Sequence, residues 1–251
     1  LAPDIDIPEV GTNLSQGTMV TAKSGIAPHR IIYGKTRVGG TMVYADTTND
    51  NDFLHMIITV AGHEINSITK VFFNEDEVPL TQDGSDSNGI ARLFPSSGNE
   101  YEGKARIKKH LGTDNQSADA DLVSEITQWT TDHRLRGIAY VYVRLDFDQD
   151  VYTNGVPNVT FEVEGRKVFD PRNSSTAFST NPALCIRDYL LNDRFGLDAD
   201  ATEINDTNMS SVANTCDESV SLTSGTEKRF TMNGTFTVEK TPKRILENML
   251  S

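Results

Sequence analysis

Very little in this chain lends itself to chemistry. Two cysteines, Cys185 and Cys216, are spread over 251 residues, too few for the disulfide framework of a small secreted domain. Both fall in segments with helical signals, so buried free thiols are expected, with a bridge between neighbouring helices as the alternative. A single tryptophan, Trp129, leaves no indole cluster for a sugar cleft. No apolar run approaches the roughly 20 residues that span a bilayer as a helix. Leu1–Val10 (LAPDIDIPEV) has neither the basic region nor the apolar stretch of a secretory leader. Positive charge is scarce as well: 23 Lys and Arg stand against 36 Asp and Glu, a net -13. A chain of that sign repels phosphate backbones, so no specific nucleic-acid partner is expected. Most of the acidic charge serves solubility, and the sign also suits a conduit through which DNA slides.

The signatures of catalysis and metal binding fail one by one. Gly34-Lys35-Thr36 resembles the end of a P-loop, but His29 stands where the first glycine belongs, and Gly39 and Gly40 interrupt the helix that should follow. A hairpin turn fits better. The histidines His29, His55, His63, His110 and His133 include no pair at the helical spacing of a zinc site. His55 opposite His63 or Glu64 across a hairpin would make a surface metal site; histidines satisfied by the protein are the commoner outcome. Asp146, Asp148 and Asp150, and separately Asp83, Asp86 and Asn88, look like pieces of calcium loops. Counted from Asp146, the positions that need Gly and Glu hold Val151 and Pro157, and with Gly89 as the glycine the last position is Pro95. Asp146 and Asp148 would lie about 7 Å apart on one strand face, within glycosidase range, but without an aromatic cleft. There is no GxSxG elbow and no dinucleotide loop. Asn158 and Asn233 head sequons that carry no weight without secretion. No catalytic residue, cofactor or metal is expected, and the chain reads as a non-enzyme.

What the chain does carry is patterning. In Ile138–Phe147, Ala139, Val141, Val143, Leu145 and Phe147 alternate with Tyr140, Tyr142, Arg144 and Asp146, the period of a half-buried strand. Val159, Phe161 and Val163 alternate likewise in Asn158–Glu164. Further strands are expected at Arg30–Tyr33 and Thr41–Ala45, joined by GKTRVGG, and at Phe53–Ala61, Ile68–Asn74, Ile90–Phe94 and Lys104–His110. Thr81–Gly89 reads as a polar turn region. Asp119–Trp129 reads as a helix capped by Asp119, with Leu122, Val123, Ile126 and Trp129 on one face. Asn181 caps a second helix with Pro182 at its first position and Gly196 as its stop. A Ser/Thr/Asn linker precedes it. A short helix within Asp206–Asp217, strands near Lys228–Met232 and Thr235–Glu239, and a helix capped by Thr241 complete the chain. That last helix has an apolar stripe, Ile245, Leu246, Met249 and Leu250, with the sequence stopping beside it, so a piece of a longer protein is expected.

The fold class is α+β: a mostly antiparallel β-barrel or sandwich body with a few helices, then a smaller helix-plus-hairpin unit. The boundaries read as an extended arm at 1–27, a β-rich domain at 28–172 and the helix-plus-hairpin unit at 173–251. Between body and unit lies GRKVFDPR, Gly165–Arg172, a basic island in an acidic chain. Arg166, Lys167, Asp170 and Arg172 are its candidate residues. They form either a structural corner, with Asp170 pairing an arginine, or a subunit contact against acidic surface on a neighbouring copy.

A resemblance runs through these same segments. DHRLRGIAYVYVRL, GVPNVTFEVEGRKVFDPR and NPALCIRDYLLNDRFGL, following Trp129, are similar to the hub region of phage tail-tip proteins, the J-type host-attachment family of long-tailed phages. RIIYGKTRVGGTMVYA and VAGHEINSITKVFFNEDEV upstream, and EINDTNMSSVANTCDESV and GTEKRFTMNGTFTVEKTPKRILENML downstream, extend it from about Arg30 to the end. The resemblance implies a structural protein of a phage or prophage virion, located at the tail tip and assembled in the host cytoplasm. It implies a homotrimeric ring that caps the tail tube, with distal tail and tape-measure proteins as partners. The family supplies no catalytic residues. Two other classes remain: a carbohydrate- or receptor-binding module of a tail fibre, with Tyr140, Tyr142 and Tyr152 as groove aromatics, and a cell-wall glycoside hydrolase, which would need a carboxylate in an apolar pocket.

Overall fold

A computed structural model describes residues 22–23 and 27–250; most of the expected arm at 1–27 lies outside the described residues. The larger of two facing sheets has seven strands. In spatial order these are β1 (Ala22–Lys23), β4 (Thr41–Thr48), β5 (Phe53–Ala61), β11 (Ala139–Asp146), β10 (Ala105–His110), β9 (Ala91–Pro95) and β8 (Leu80–Ser85). The facing sheet orders β3 (Lys35–Gly39), β12 (Val159–Glu164), β6 (Ser67–Phe73) and β7 (Asp76–Glu77). All neighbours are antiparallel except β1 on β4. Between the sheets, Met56, Ile58, Val141 and Val143 pack against Val38, Val71, Phe161 and Val163. Neither sheet closes on itself, so of the two β architectures expected the chain adopts the sandwich.

A second core belongs to the C-terminal unit. Strand β2 (Arg30–Tyr33) pairs with β17 (Gly234–Thr237), and β13 (Lys167–Asp170) forms a hairpin with β14 (Ser175–Phe178). Around them pack α2 (Pro182–Leu191), α3 (Asp206–Asp217) and α4 (Pro242–Met249). Successive side chains of a strand face opposite ways, and β2 uses both directions. Ile32 enters the sandwich core, while Ile31 and Tyr33 join Leu184, Tyr189, Phe236, Ile245 and Met249 in the second core.

Several local expectations give way to tertiary context. The GKTRVGG segment is no turn: Lys35–Gly39 is itself a strand paired to β12, because Val38 is needed in the core. Thr81–Gly89 is largely the edge strand β8, whose exposure on the sheet rim explains its polar composition. Ser175–Phe178, within the expected linker, pairs with β13. The strand expected at Lys228–Met232 lies earlier, at Thr226–Lys228 (β16), paired with Ser219–Ser221 (β15). The first helix, α1 (Ala120–Glu125), is shorter than expected; Ile126 leaves it with extended backbone, yet Leu122, Ile126 and Trp129 are still buried. The last helix has its own partner, since Ile245 and Met249 are buried in the second core.

The largest difference concerns β11, which is not half-buried. Val141 and Val143 face the sandwich core, and Tyr140 and Tyr142, on the other face, are covered by α1 with Leu122 and Trp129. Phe147, expected inside, lies past the strand end and is 69% exposed. The cover comes from the excursion between β10 and β11, and Gln116 braces its base. The Gln116 side chain accepts from the Gly112 N–H and donates to the carbonyls of Arg134 and Leu135.

The point where β2 crosses from one core to the other leaves no room for a side chain. A Cβ on Gly165 would stand 2.3 Å from the Ile32 carbonyl oxygen, the atom to which Arg166 N–H donates at 2.9 Å. Gly165→Ala is expected to cost about 2 kcal/mol, the usual penalty of forcing atoms into a packed site. Gly84→Ala meets open space at φ +72° and should cost about 1 kcal/mol from its left-handed backbone alone. Urea unfolding of both variants checks the ordering.

Candidate functional site: a sealed ionic cluster, a basic corner and an apolar groove

Under α1, on the outer face of the larger sheet, lies a charged cluster closed to solvent. Strand periodicity puts Arg106, Lys108 and His110 on one face of β10, and the α1 segment brings Asp119, Asp121 and Glu125 down onto them. The Lys108 ammonium is fully buried and touches Asp86 at 2.5 Å, Asp119 at 2.9 Å and Asp121 at 3.2 Å. Asp119 does three jobs. One oxygen caps α1 by accepting from the N–H groups of Asp121 and Leu122, and also takes Lys108; the other meets His110 Nε2 at 2.7 Å. Asp86, a residue of the calcium-like segment, instead shapes its turn by accepting from Asn88 and Ile90 N–H while binding Lys108.

The cluster continues along the strand. Arg92 forks onto both oxygens of Asp121 at 2.8 and 2.6 Å. Arg106 reaches Glu125 at 2.7 Å and the Tyr142 hydroxyl at 2.9 Å, and that hydroxyl lies 2.8 Å from His55 Nδ1. Burial alone would raise the Asp121 carboxyl, but the Arg92 hydrogen bond and the Lys108 and Arg106 charges outweigh it and hold the group down at about 2. Burial likewise works against ionised Asp119, and bonds from His110 and Lys108 reverse the balance, leaving it below the ordinary carboxylate range. Three carboxylates converge where a cation would sit, and the lysine ammonium occupies that position. Among the described residues no group of three or more His, Cys, Asp or Glu is arranged to hold a metal. The signal was present in the sequence as cations at every second residue of ARIKKH, followed by Asp119, Asp121 and Glu125.

The other expected groups are scattered. His55 is buried against Tyr142 and Thr48. His63 lies elsewhere, at the two-core boundary, so the two never share a site. Tyr140 and Tyr142, the first two groove aromatics, are interior residues, and Tyr152 is partly buried with its hydroxyl on the Lys104 carbonyl. Asp146 pairs with Arg144 and Asp148 with Lys104, each within its own ion pair. Cys185 and Cys216 are buried and free, and burial pushes the Cys185 thiol upward.

The basic island ties elements of the chain together. Arg166 Nε donates to Asp188 of α2 at 2.6 Å, onto the same oxygen that takes the Tyr33 hydroxyl at 2.5 Å. Lys167 meets Glu64 at 2.5 Å. Arg172 grips both oxygens of Asp170 and reaches Asp217 of α3 at 2.9 Å and Asn214 at 3.0 Å. The first two contacts point along the boundary between the cores, and the last fastens the β13 hairpin to α3.

An apolar groove of about 600 Å³ opens on the C-terminal unit, with Tyr33, Ile186, Phe236 and Met249 among its lining residues. Val212, Phe230 and Leu250 stand at its mouth and are more than half exposed.

No protein-family profile matches the chain, and no curated protein matches it. Among solved structures, a chain of the virion of a native gene transfer agent (GTA) particle is similar, with 21% identity and a TM-score of 0.41 over 63% of this chain. The match takes in 31% of that chain, so the present sequence spans about a third of its length.

Two measurements probe the buried charges. Lys108→Met should cost about 3–5 kcal/mol in urea unfolding, because it strands buried carboxylates without their cation. Adding Asp86→Asn and Asp119→Asn should recover part of the loss. His63 accepts from the Ile32 N–H at 3.0 Å and donates from Nδ1 to the Glu64 carbonyl, which fixes a neutral ring. Burial, more than nearby Arg166 and Arg194, lowers its pKa from 6.5 to about 4. The unfolded chain therefore takes up the proton first, so this stability is full above pH 6.5 and drains as pH falls towards 4. The loss reaches roughly 3 kcal/mol. His55, lowered mainly by burial, adds to it with the same sign. The melting temperature should fall between pH 7 and 4.5, and His63→Gln, which keeps an acceptor for Ile32 without titrating, should flatten that fall.

Proposed function

We propose that this chain is a structural component of a tailed, phage-like virion, and within it the hub ring that caps the tail tube at its tip. The observation that carries this reading is where the resembling segments fall. RIIYGKTRVGGTMVYA supplies β2, β3 and most of β4. The Trp129-to-Leu197 segments supply β11, β12, the basic corner and α2, and GTEKRFTMNGTFTVEKTPKRILENML supplies β16, β17 and α4. Among these parts β2, the basic corner and α2 join the sandwich to the second core, through Tyr33, Arg166 and Asp188. A ring that must hold its shape under load needs such a rigid two-lobed subunit. The larger sheet also ends in strands, β8 on one side and β4 beyond its short pairing with β1, whose outer edges offer heterologous contacts of the kind that close rings.

In this role the chain turns over no substrate. Three copies form the ring, its partners are the neighbouring tail proteins, and the net charge of -13 keeps passing DNA from adhering. Light scattering across a concentration series tests the ring. The expected mass rises from 27.7 kDa to three times that value at high micromolar concentration, with ring-shaped particles in negative stain. A mass that stays at one copy up to millimolar concentration sinks the ring.

A further inference from the structure

We propose that Asn154 is a site of spontaneous modification, where the side-chain amide is lost as ammonia and the residue becomes aspartate or isoaspartate. The reaction takes an asparagine followed by glycine, because a residue without a Cβ lets its backbone nitrogen approach the neighbouring side chain. The Gly155 nitrogen attacks Cγ of Asn154, and its proton departs with the amide nitrogen as ammonia. A five-membered succinimide closes. Water then adds to one of the two ring carbonyls, and the carbon–nitrogen bond there breaks. One opening restores the peptide link and leaves aspartate; the other routes the backbone through the side chain as isoaspartate. The reaction needs no catalyst, so the protein's part is to permit or forbid ring closure.

The sequence holds three Asn-Gly pairs, Asn88-Gly89, Asn154-Gly155 and Asn233-Gly234, and the fold restrains two of them. Asn233 accepts the Lys35 N–H on Oδ1 at 2.8 Å, while Gly234 is buried in β17 opposite Tyr33. Ring closure there would pull β17 off β2. Asn88 donates from Nδ2 to the Ala118 carbonyl at 2.9 Å and from its backbone to Asp86 Oδ1 at 2.9 Å. The Asp86 carbonyl holds the Gly89 N–H at 3.0 Å, and Asp86 is fixed in turn by the buried Lys108. Asn154 has no such restraint. Residues 153–156 are all exposed, and nothing lies within 4 Å of where a Gly155 Cβ would stand. The Asn154 side chain makes no hydrogen bond among the described residues. The turn is closed by the Gly155 N–H on the Tyr152 carbonyl at 2.9 Å, an exposed bond of the kind that opens at little cost. Both ends of the loop are anchored. The Tyr152 hydroxyl donates to the Lys104 carbonyl at 2.5 Å, and the Asn158 N–H to Asn74 Oδ1 at 3.1 Å. The change therefore stays within the loop, where it adds one negative charge to a stretch that already carries Asp148 and Asp150. This inference does not depend on the ring.

The test incubates the folded full chain in mildly alkaline buffer for several weeks and maps the products by peptide mass spectrometry. Electron-transfer fragmentation separates isoaspartate from aspartate, and a parallel sample unfolded in guanidinium chloride reports the three pairs without the fold. In the folded chain Asn154 should convert at least tenfold faster than Asn88 and Asn233, with isoaspartate the main product. In the unfolded chain the three should convert at rates within about threefold of one another. Asn154→Gln, whose longer side chain does not close the five-membered ring, should remove the modified species. Conversion of Asn88 or Asn233 in the folded chain as fast as Asn154, or an Asn154 that stays intact there while the unfolded chain converts, would overturn the proposal.

Discussion

A single strand of four residues decides how this molecule is put together. β2 gives Ile32 to the sandwich and Ile31 and Tyr33 to the helical unit, and its backbone is claimed on every side. β17 pairs with one edge, Arg166 N–H takes the Ile32 carbonyl, and the His63 ring takes the Ile32 N–H. Neither core can shift relative to the other without breaking polar contacts that burial has already stripped of water. The two lobes are therefore one mechanical body.

Electrostatics follows the same plan. Among the described residues the acidic chain spends Lys108, Arg92 and Arg106 beneath α1 and Arg166, Lys167 and Arg172 along the boundary of the cores. Ion pairs of this kind are not a cheap source of stability, since desolvation consumes most of the Coulombic gain. What they supply is uniqueness: α1 can sit on the sheet in one register only, because a shift would leave carboxylates facing tyrosines. The excursion that carries α1 is thus located by charge and sealed by Leu122, Ile126 and Trp129.

Much of this was legible in the residues, and the failures have a common cause. Caps and periodic runs spoke clearly: Asn181-Pro182, the span Asp206–Asp217 and the alternation of β12 all stand as expected, because local chemistry decides them. Strands built from polar residues did not announce themselves. Lys35–Gly39, Leu80–Ser85 and Ser175–Phe178 are strands only because a partner strand lies beside them, and pairing partners far apart in sequence leave no local trace. Tyr140 and Tyr142 misled for a related reason. Alternation shows that a strand has two faces, but it does not show what covers the polar one, and the cover here starts at an unremarkable Gly112. The ionic cluster was written as two short patterns, 106-108-110 and 119-121-125, whose meaning emerges only when the hairpin folds one onto the other.

The acceptor oxygen of Asp188 has a consequence for inheritance. It holds Arg166 and the Tyr33 hydroxyl at once, and so links three positions up to 155 residues apart in the chain. A change at any one of them leaves a buried or partly buried group without its complement, so drift at this point favours matched replacements. Lineages sharing this architecture should therefore differ here by whole triads, while the exposed turns around them diverge one residue at a time.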